Sequence, residues 1–297
     1  MIEPLRSFAV IPDADMDKCE FRLDERARAY AETFLNETEV NRAESLRQLR
    51  DWLHENPNIG AKTDDLSLLA FLRGCKFDLD RTRRKIREYY KMRAEVPEWF
   101  GNRDPGRPEI LELLKLGVFV PLDKLHDNRH VVIIRTAAHD PKKHSQDDVF
   151  KVGKMILDVL AAENELLQIY GVVAIFDMKN VSLAHARQLP PARIKKAVNA
   201  WQNYHCRPKQ LEFVNAPVYV NVLLNVFKSF MSKKLRGRVR VHFGGLETLR
   251  EEMGEGILPA EYGGTGGPIQ DRIDFWLEKL QRHKEWFAHD ERFKTQL

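Results

Sequence analysis

Apolar residues recur every three or four positions among many charged ones in the first third of the chain, from about residue 23 to residue 96. Leu46, Leu49 and Leu53 form one such stripe, which ends near Asn56. Positions with this spacing lie on one face of a helix. The pattern therefore predicts an amphipathic helix that buries its leucines.

Two further helices are predicted in the same part of the chain. Thr63 is predicted to cap a helix over residues 64–73, because its first turn is acidic and Gly74 follows its last turn. Asp78 is predicted to begin another helix, which ends at Pro97. No strand-like run interrupts these patterns, so they indicate an all-helical N-terminal subdomain.

The pattern changes after residue 108, where short runs rich in valine, isoleucine and phenylalanine alternate with longer helical stretches. Nearly continuous apolar strands of this kind are typical of a mostly parallel sheet covered by helices, so the predicted fold class is α/β. The predicted strands are residues 117–121, 130–136, 171–178, 211–215 and 239–243. The predicted helices are residues 145–169, 190–204, 217–230 and 269–287.

Composition narrows the class of protein. Of the 297 residues, 43% are hydrophobic and 31% are charged, which is too apolar for a disordered chain and too charged for a polytopic membrane protein. The net charge of +4 argues against a tail-driven nucleic-acid binder. The sequence has neither a signal-peptide pattern nor a long apolar stretch, and its cysteines at 19, 75 and 206 are widely spaced. A cytoplasmic protein with reduced thiols is therefore expected.

The sequence carries no recognisable motif for catalysis, for a cofactor or for a metal. The glycine-rich residues 263–268 follow the last predicted strand and do not open a helix, so they do not predict a phosphate loop. His139 and His144 lack a third ligand nearby and are interpreted as surface-loop residues. Asp177 ends the most apolar strand without a base or nucleophile at a recognisable spacing. We therefore expect neither an enzyme nor a cofactor or metal site.

The most apolar helical pattern occupies residues 217–231, where Asn221, Asn225 and Lys228 mark a narrow polar line. Five cations follow within residues 233–240. Two structures fit this pairing: a helix at an anionic membrane surface, or a core helix followed by a solvated basic turn. The other basic cluster, at residues 81–87, is interpreted as a solvated helix face.

Residues 65–80 read as an acid, an apolar helix, Leu-Arg and then Lys-Phe-Asp, and they resemble the helical N-terminal signature of CRAL-TRIO proteins. Further segments fall in that family's order and spacing, at residues 135–141, 174–177, 213–217, 230–240 and 258–264. Together they cover residues 64–264. The details look most similar to the branch of the α-tocopherol transfer protein and the cellular retinaldehyde-binding protein.

The resemblance implies a lipid-binding domain in which a sheet floor, helical walls and a mobile lid helix enclose an apolar pocket. It divides the chain into a flexible N-terminus (1–22), a helical subdomain (23–100), the lipid-binding domain (101–268) and a C-terminal helix packed on that domain (269–297). The implied pocket residues are Met155, Ile156, Val159 and Leu160 on the wall, Val172, Ala174 and Phe176 on the floor, Tyr204, and Val220, Leu223, Val226 and Phe227 on the lid.

The same branch binds phosphoinositide headgroups in a basic cleft, which triggers lid opening and ligand exchange. Lys234, Arg238 and Arg207 match three of its basic positions. A fourth position carries Cys75 in place of arginine, with Arg73 retained nearby. The resemblance thus implies that this protein associates transiently with phosphoinositide-containing membranes.

Two positions of the wall helix weaken the case for tocopherol itself as the ligand. Two serines of the wall helix correspond to Gly153 and Leu157 here, so the pocket is drier or takes its polar anchor from Tyr204, Asn199 or Asn203. A retinoid, a tocopherol, a carotenoid or another lipid satisfies the apolar requirement. The expected function is a monomeric carrier of a small hydrophobic ligand; a phosphoinositide-sensing adaptor and a lipid-modifying enzyme are the alternatives.

Overall fold

The computed structural model describes residues 23–217 and 220–296. The predicted flexible N-terminus, with Cys19, therefore lies outside the described residues. The same holds for residues 218 and 219 near the start of the predicted lid.

The N-terminal region is helical, as predicted, and Leu46, Leu49 and Leu53 are buried on one side of a single amphipathic helix. Its last two helices directly precede the first strand of the sheet along the chain. The region contains α1 (Glu25–Tyr30) with a π-helical turn (Ala31–Leu35), α2 (Glu39–Glu55), a 3₁₀ turn (Pro57–Ile59), α3 (Asp65–Cys75), α4 (Leu79–Glu95), α5 (Pro97–Phe100) and α6 (Pro108–Lys115).

The boundaries of α3 correct two predictions. Its cap is Asp64 rather than Thr63, since the Asp64 carboxylate accepts a hydrogen bond of 2.9 Å from the backbone N–H of Ser67. The helix does not end at Gly74: it continues to Cys75, and Lys76 takes the left-handed exit position with a φ of 59°. For α4, the predicted cap Asp78 is confirmed.

Five strands of the described chain form one sheet in the order β1-β2-β3-β4-β5, where β1 is antiparallel to β2 and the other neighbours are parallel. This confirms the mostly parallel sheet. The strands are β1 (Phe119–Pro121), β2 (His130–Arg135), β3 (Val172–Asp177), β4 (Pro208–Val214) and β5 (Val239–Val241).

Sequential strand order places the connecting helices on one face of the sheet, because parallel crossovers are right-handed. On this face Val132, Ala174 and Phe213 join the larger hydrophobic core. The connecting helices are α7 (Gln146–Glu163), α8 (Glu165–Tyr170), α9 (Leu183–Arg187), α10 (Pro191–Asn203), α11 (Val220–Phe230) and α12 (Lys233–Arg236).

The opposite face of the sheet has its own core. Val131, Ile133 and Val173 point to this side by strand alternation and pack against residues of the C-terminal part. That part contains α13 (Leu246–Met253), a 3₁₀ turn (Ala260–Tyr262), α14 (Ile269–Arg282) and α15 (Lys284–Asp290).

Two long helical predictions are each divided in the structure. Asn164 adopts an extended conformation and its side chain caps α8, which separates α8 from α7. His283 likewise separates α14 from α15. Asparagine favours a cap because its side chain bonds the backbone locally, a signal that hydrophobic periodicity does not contain.

Candidate functional site

An apolar cavity lies between the sheet and the helices of its crossover face. Its volume is about 150 Å³. Ile134, Phe176 and Phe213 from the strands form its floor, while α7 and α10 supply walls and α11 covers it with Leu223 and Phe227. The floor rings of Phe176 and Phe213 stack with centroids 4.6 Å apart.

The cavity-facing side of α7 carries residues spaced by three or four positions, including Gln146, Phe150, Gly153 and Leu157. Gly153 has a steric role. A Cβ placed there would lie 2.5 Å from Cζ of Phe119, so only glycine lets that ring approach the helix. The ring, rather than a hydroxyl, therefore occupies the space next to position 153.

The structure brings three of the predicted pocket residues to the cavity: Phe176, Leu223 and Phe227. The other nine do not line it. These are Met155, Ile156, Val159 and Leu160 of α7, Val172 and Ala174 of β3, Tyr204, and Val220 and Val226 of α11.

The correction on α7 has a physical reason. This helix is buried on all sides, since it packs against α3, α5, α6, α8 and α14 as well as facing the cavity. Its hydrophobic pattern therefore marks burial and does not distinguish the cavity face from the core faces. Met155, Ile156, Val159 and Leu160 belong to the core.

The predicted pocket residues of β3 and α11 that do not line the cavity lie at other positions along these elements. Val172 and Ala174 share the crossover face with Phe176, as alternation predicts, but are completely buried in the core. Val220 is buried at the start of α11. Val226 packs against the core without reaching the cavity.

The predicted polar anchors also lie elsewhere. The Tyr204 hydroxyl donates a hydrogen bond to the carboxylate of Asp158 inside the core. Asn203 donates to Oδ1 of Asn199 over 3.0 Å on an exposed surface. None of the three lines the described cavity wall.

A basic cleft lies beside the cavity and has a volume of about 280 Å³. Its lining within the described residues contains no aspartate or glutamate. Three of the predicted cations, Arg207, Lys234 and Arg238, meet there. Among the described residues, the cations that line this basic cleft are Lys76, Arg81, Lys85, Arg207, Lys209, Lys234 and Arg238.

The cations of the basic cleft lack acidic partners. No ion pair connects any of them to a carboxylate in the part of the chain that the structure describes. Nε and Nη2 of Arg207 are buried without a hydrogen-bond partner among these residues. Burial, with Arg207 and Arg238 adding repulsion, lowers the pKa of Lys209 to about 8. Such a cluster is suited to bind a polyanion.

A close approach of two strands positions Arg207. Gly171, with a φ of +90°, precedes β3, and a Cβ there would lie 2.3 Å from the carbonyl oxygen of Arg207. Val172 N–H donates to this same carbonyl over 2.9 Å. Glycine at 171 thus allows the contact that fixes the start of β4 at the rim of the basic cleft.

Arg73 does not belong to the basic cleft, which corrects its predicted role. Its guanidinium is fully buried and makes a bidentate pair with Glu37, with both N–O distances 2.8 Å, and a bond of 2.9 Å to Glu165. A guanidinium paired in this way is committed to the core. Cys75 is buried as well, as a free thiol.

The structure adds cleft residues that the sequence interpretation missed. Arg81 and Lys85 of the supposed solvated helix face point into the basic cleft, whereas Arg83 pairs with Asp80. Their i and i+4 spacing on α4 was the available signal. In the 233–240 run, by contrast, Arg240 pairs with Glu252 outside the cleft.

Asp177, which was considered for catalysis, has structural partners. The Asp177 carboxylate accepts hydrogen bonds of 2.8 Å from Asn215 and from the hydroxyl of Tyr262. His139 and His144 are buried rather than on a surface loop, and His139 contacts the ring of His185. In the described residues, no His, Cys, Asp and Glu cluster could hold a metal ion.

Across residues 23–217 and 220–296, no helix is long and apolar enough to cross a bilayer.

Comparison with known proteins gives the family. Residues 114–264 match the model of the CRAL/TRIO domain, and residues 38–110 match that of the Pinta-like UBA domain. Clavesin-1 of Xenopus laevis is 31% identical over 249 residues, which are 83% of this chain and 74% of that protein. Clavesin-2 of Homo sapiens is 28% identical over 253 residues, 84% of this chain and 76% of that protein.

A likeness of fold extends to a solved structure. The crystal structure of Sfh5 has a TM-score of 0.50 and 13% sequence identity, and the match covers 82% of this chain and 98% of that chain. The enclosed cavity and these matches define a lipid-binding and transfer class. The chain belongs to the CRAL/TRIO family. The expected tocopherol and retinaldehyde branch is not supported, and the relatives named above are clavesins.

Proposed function

We propose that this protein is a carrier that holds a small hydrophobic ligand in the apolar cavity and exchanges it at phosphoinositide-containing membranes. The observation that carries the proposal is the adjacency of two sites. The apolar cavity and the basic cleft share the side chains of Trp201 and Leu235. A headgroup in the cleft would therefore contact the same wall that encloses the ligand.

The cavity supports the binding part of the proposal. It lies under α11, whose Leu223 and Phe227 close it, and its floor consists of aromatic and aliphatic side chains. Enclosure by apolar surface favours a hydrophobic ligand over a polar metabolite. The ligand is noncovalently held and carried, not transformed.

The basic cleft supports the membrane part of the proposal. A phosphoinositide headgroup presents several phosphate charges, and guanidinium groups bind phosphate through paired hydrogen bonds. Arg207 offers Nε and Nη2, which have no other partner in the described structure. Val222 on α11 is exposed and apolar, so it would meet the lipid surface on docking.

Lid opening is the step that joins the two sites. Lys234 lies on α12, which directly follows α11, and Leu235 of α12 reaches the cavity. An anion that draws Lys234 closer to Arg207 within the basic cleft would shift α12 and with it the end of α11. The bound state of the cleft would thus favour an open cavity.

Organic extraction of the purified full chain, followed by mass spectrometry, tests the carrier function. A stoichiometric lipophilic compound is expected in the extract, or after incubation with retinoids, tocopherols and phospholipids. A chain that holds no such compound and cannot be loaded contradicts the carrier function. Intact binding to phosphoinositide vesicles in that case would instead indicate an adaptor.

A further inference from the structure

A buried lysine interrupts the apolar wall of the cavity. Lys154 lies on the cavity-facing side of α7 and is only 6% exposed. Its ammonium faces two aromatic rings, with Nζ 4.6 Å from the ring centroid of Tyr204 and 5.6 Å from that of Trp201. No carboxylate or hydrogen-bond acceptor contacts this Nζ in the described residues.

Two other cations buried in the described core have partners. Lys151, one turn earlier on α7, is buried to the same degree, but its Nζ donates a hydrogen bond of 2.7 Å to the carbonyl oxygen of Gly101. Arg103 pairs with Asp158 over 2.7 Å. Lys154 differs because the contacts of its ammonium are with the faces of two aromatic rings.

The nearest acid is already committed. Asp158 lies one turn after Lys154 and accepts hydrogen bonds from Arg103 and from the Tyr204 hydroxyl. The described cavity wall itself contains no aspartate or glutamate. Burial therefore lowers the pKa of Lys154 to about 8, since a charge without a counter-ion is costly in apolar surroundings.

We propose that the cavity ligand is an amphipathic lipid with a carboxylate head, and that this carboxylate pairs with Lys154. This inference rests on the carrier function proposed above and names the class of its ligand. The hydrocarbon part fills the space between Phe176, Leu157 and Phe227, and the head lies beside Trp201.

A carboxylate fits this position better than a phosphate does. The described cavity wall has one other lysine or arginine, Arg135, whose Nη1 already donates a hydrogen bond of 3.0 Å to the carbonyl oxygen of Leu116. The Lys154 ammonium balances a single negative charge, whereas a phosphate carries more charge and needs several donors. The basic cleft on the other side of Trp201 offers those donors. A carboxylate is thus expected at Lys154 and a phosphate in the basic cleft, because the two places offer different numbers of cations.

Calorimetric titration of the delipidated full chain tests the inference with two probe pairs: oleate against oleyl alcohol, and retinoic acid against retinol. Within each pair the chains match and only the head differs. In at least one pair, the wild type is expected to bind the acid about tenfold or more tighter than the alcohol, as an added ion pair in an apolar site predicts.

Lys154→Met removes the charge at similar length, and Lys151→Met is its matched control on the same helix. Lys154→Met should lose the acid preference while it binds the alcohol at least as well as the wild type. Lys151→Met should keep the preference, although its melting temperature should fall, because it leaves the Gly101 carbonyl without its partner.

The outcomes separate the two proposals. A wild type that binds the alcohol as tightly as the acid, or a Lys154→Met variant that keeps the acid preference, overturns the carboxylate inference and leaves the carrier function standing. A wild type that binds no probe of either pair overturns the inference and contradicts the carrier function too. If Lys154→Met does not fold, Lys154→Gln and the wild-type preference provide the same test.

Discussion

Two clusters of cations in this protein have opposite surroundings. In the basic cleft, the described cations meet no carboxylate. Where the N-terminal helices, α7 and α15 meet, Arg93, Arg103, Asp158 and Asp290 form what we call the charged junction. There Arg103 bonds Asp158 and Asp290 over 2.7 and 2.6 Å, and Arg93 bonds Asp290 over 2.7 Å.

The difference between the clusters shows which cations are free to bind a ligand. A buried guanidinium that already has carboxylate partners stabilises the fold only while the whole set is present. A cation without a partner is held in place by the fold and gains energy from an incoming anion. Arg73 and Arg207 illustrate the two cases, since the first pairs with Glu37 and the second has free nitrogen atoms.

Asp290→Asn should produce the largest effect on stability. The substitution leaves Lys62, Arg93 and Arg103 without their shared carboxylate, and breaking a buried pair costs about 3–5 kcal/mol. Urea unfolding measures the change. Asp51→Asn, which breaks an exposed pair with Arg47, is the control and should leave the free energy of unfolding nearly unchanged. Equal effects of the two variants would contradict the distinction.

A fall in pH should lower the stability of the fold through a histidine near the charged junction. Burial lowers the pKa of His205, which faces Asp158, Lys85, Asp290 and Arg93, to about 4 from its usual 6.5. Between these values the unfolded chain binds the proton and the folded chain does not. Stability therefore falls as pH drops below 6.5, by about 1.4 kcal/mol per pH unit for such a group.

His130 and His139 add to this acid effect, because burial also lowers their pKa values to about 4.

Binding to anionic vesicles should change in the opposite direction, since Lys209 has a pKa of about 8 and gains charge as pH falls from 9 to 7. Urea unfolding from pH 7 to 5 and vesicle sedimentation from pH 9 to 7 give the two trends. A stability that rises toward pH 5 would refute the assignment.

Arg207→Met combined with Lys234→Met should weaken binding to vesicles that contain phosphatidylinositol bisphosphate by about tenfold or more. The free energy of unfolding should stay the same or rise, because neither side chain has an acidic partner in the described structure. A tenfold loss of binding corresponds to about 1.4 kcal/mol, which is less than the loss of stability expected for Asp290→Asn. The reason is that the headgroup is bound near solvent, where salt screens charge.

The matched control for that double variant is Arg236→Met with Arg240→Met. These residues belong to the same basic run but bond the Met231 carbonyl and Glu252 outside the basic cleft. Vesicle binding should fall only slightly in the control. An equal loss in both double variants would mean that net charge, and not the cleft, drives binding.

The sequence predicted the elements of this fold well. The family resemblance implied that Phe176 lies on the pocket floor, and it lines the cavity. The spacing of Leu46, Leu49 and Leu53 predicted a helix that the structure confirms. The helix prediction succeeded because α2 has one exposed and one buried side.

The candidate site was less predictable, for physical reasons. On α7 all sides are buried, so periodicity assigned Met155 and Ile156 to a cavity that Phe150 and Leu157 line instead. Likewise Arg73 and Arg207 look alike in sequence, and only the positions of distant Glu37 and Glu165 decide which is neutralised. Contacts between residues far apart along the chain are not encoded in local spacing.

Release of a preloaded lipophilic fluorophore measures the central claim, that the basic cleft controls access to the cavity. The loaded full chain is mixed with phosphatidylcholine vesicles that contain phosphatidylinositol bisphosphate or, at matched surface charge, phosphatidylserine. Release should be about tenfold faster with the phosphoinositide, and Arg207→Met with Lys234→Met should abolish that acceleration while retaining the ligand. Equal release rates from the two kinds of vesicle, or an acceleration that survives in the double variant, would contradict the account.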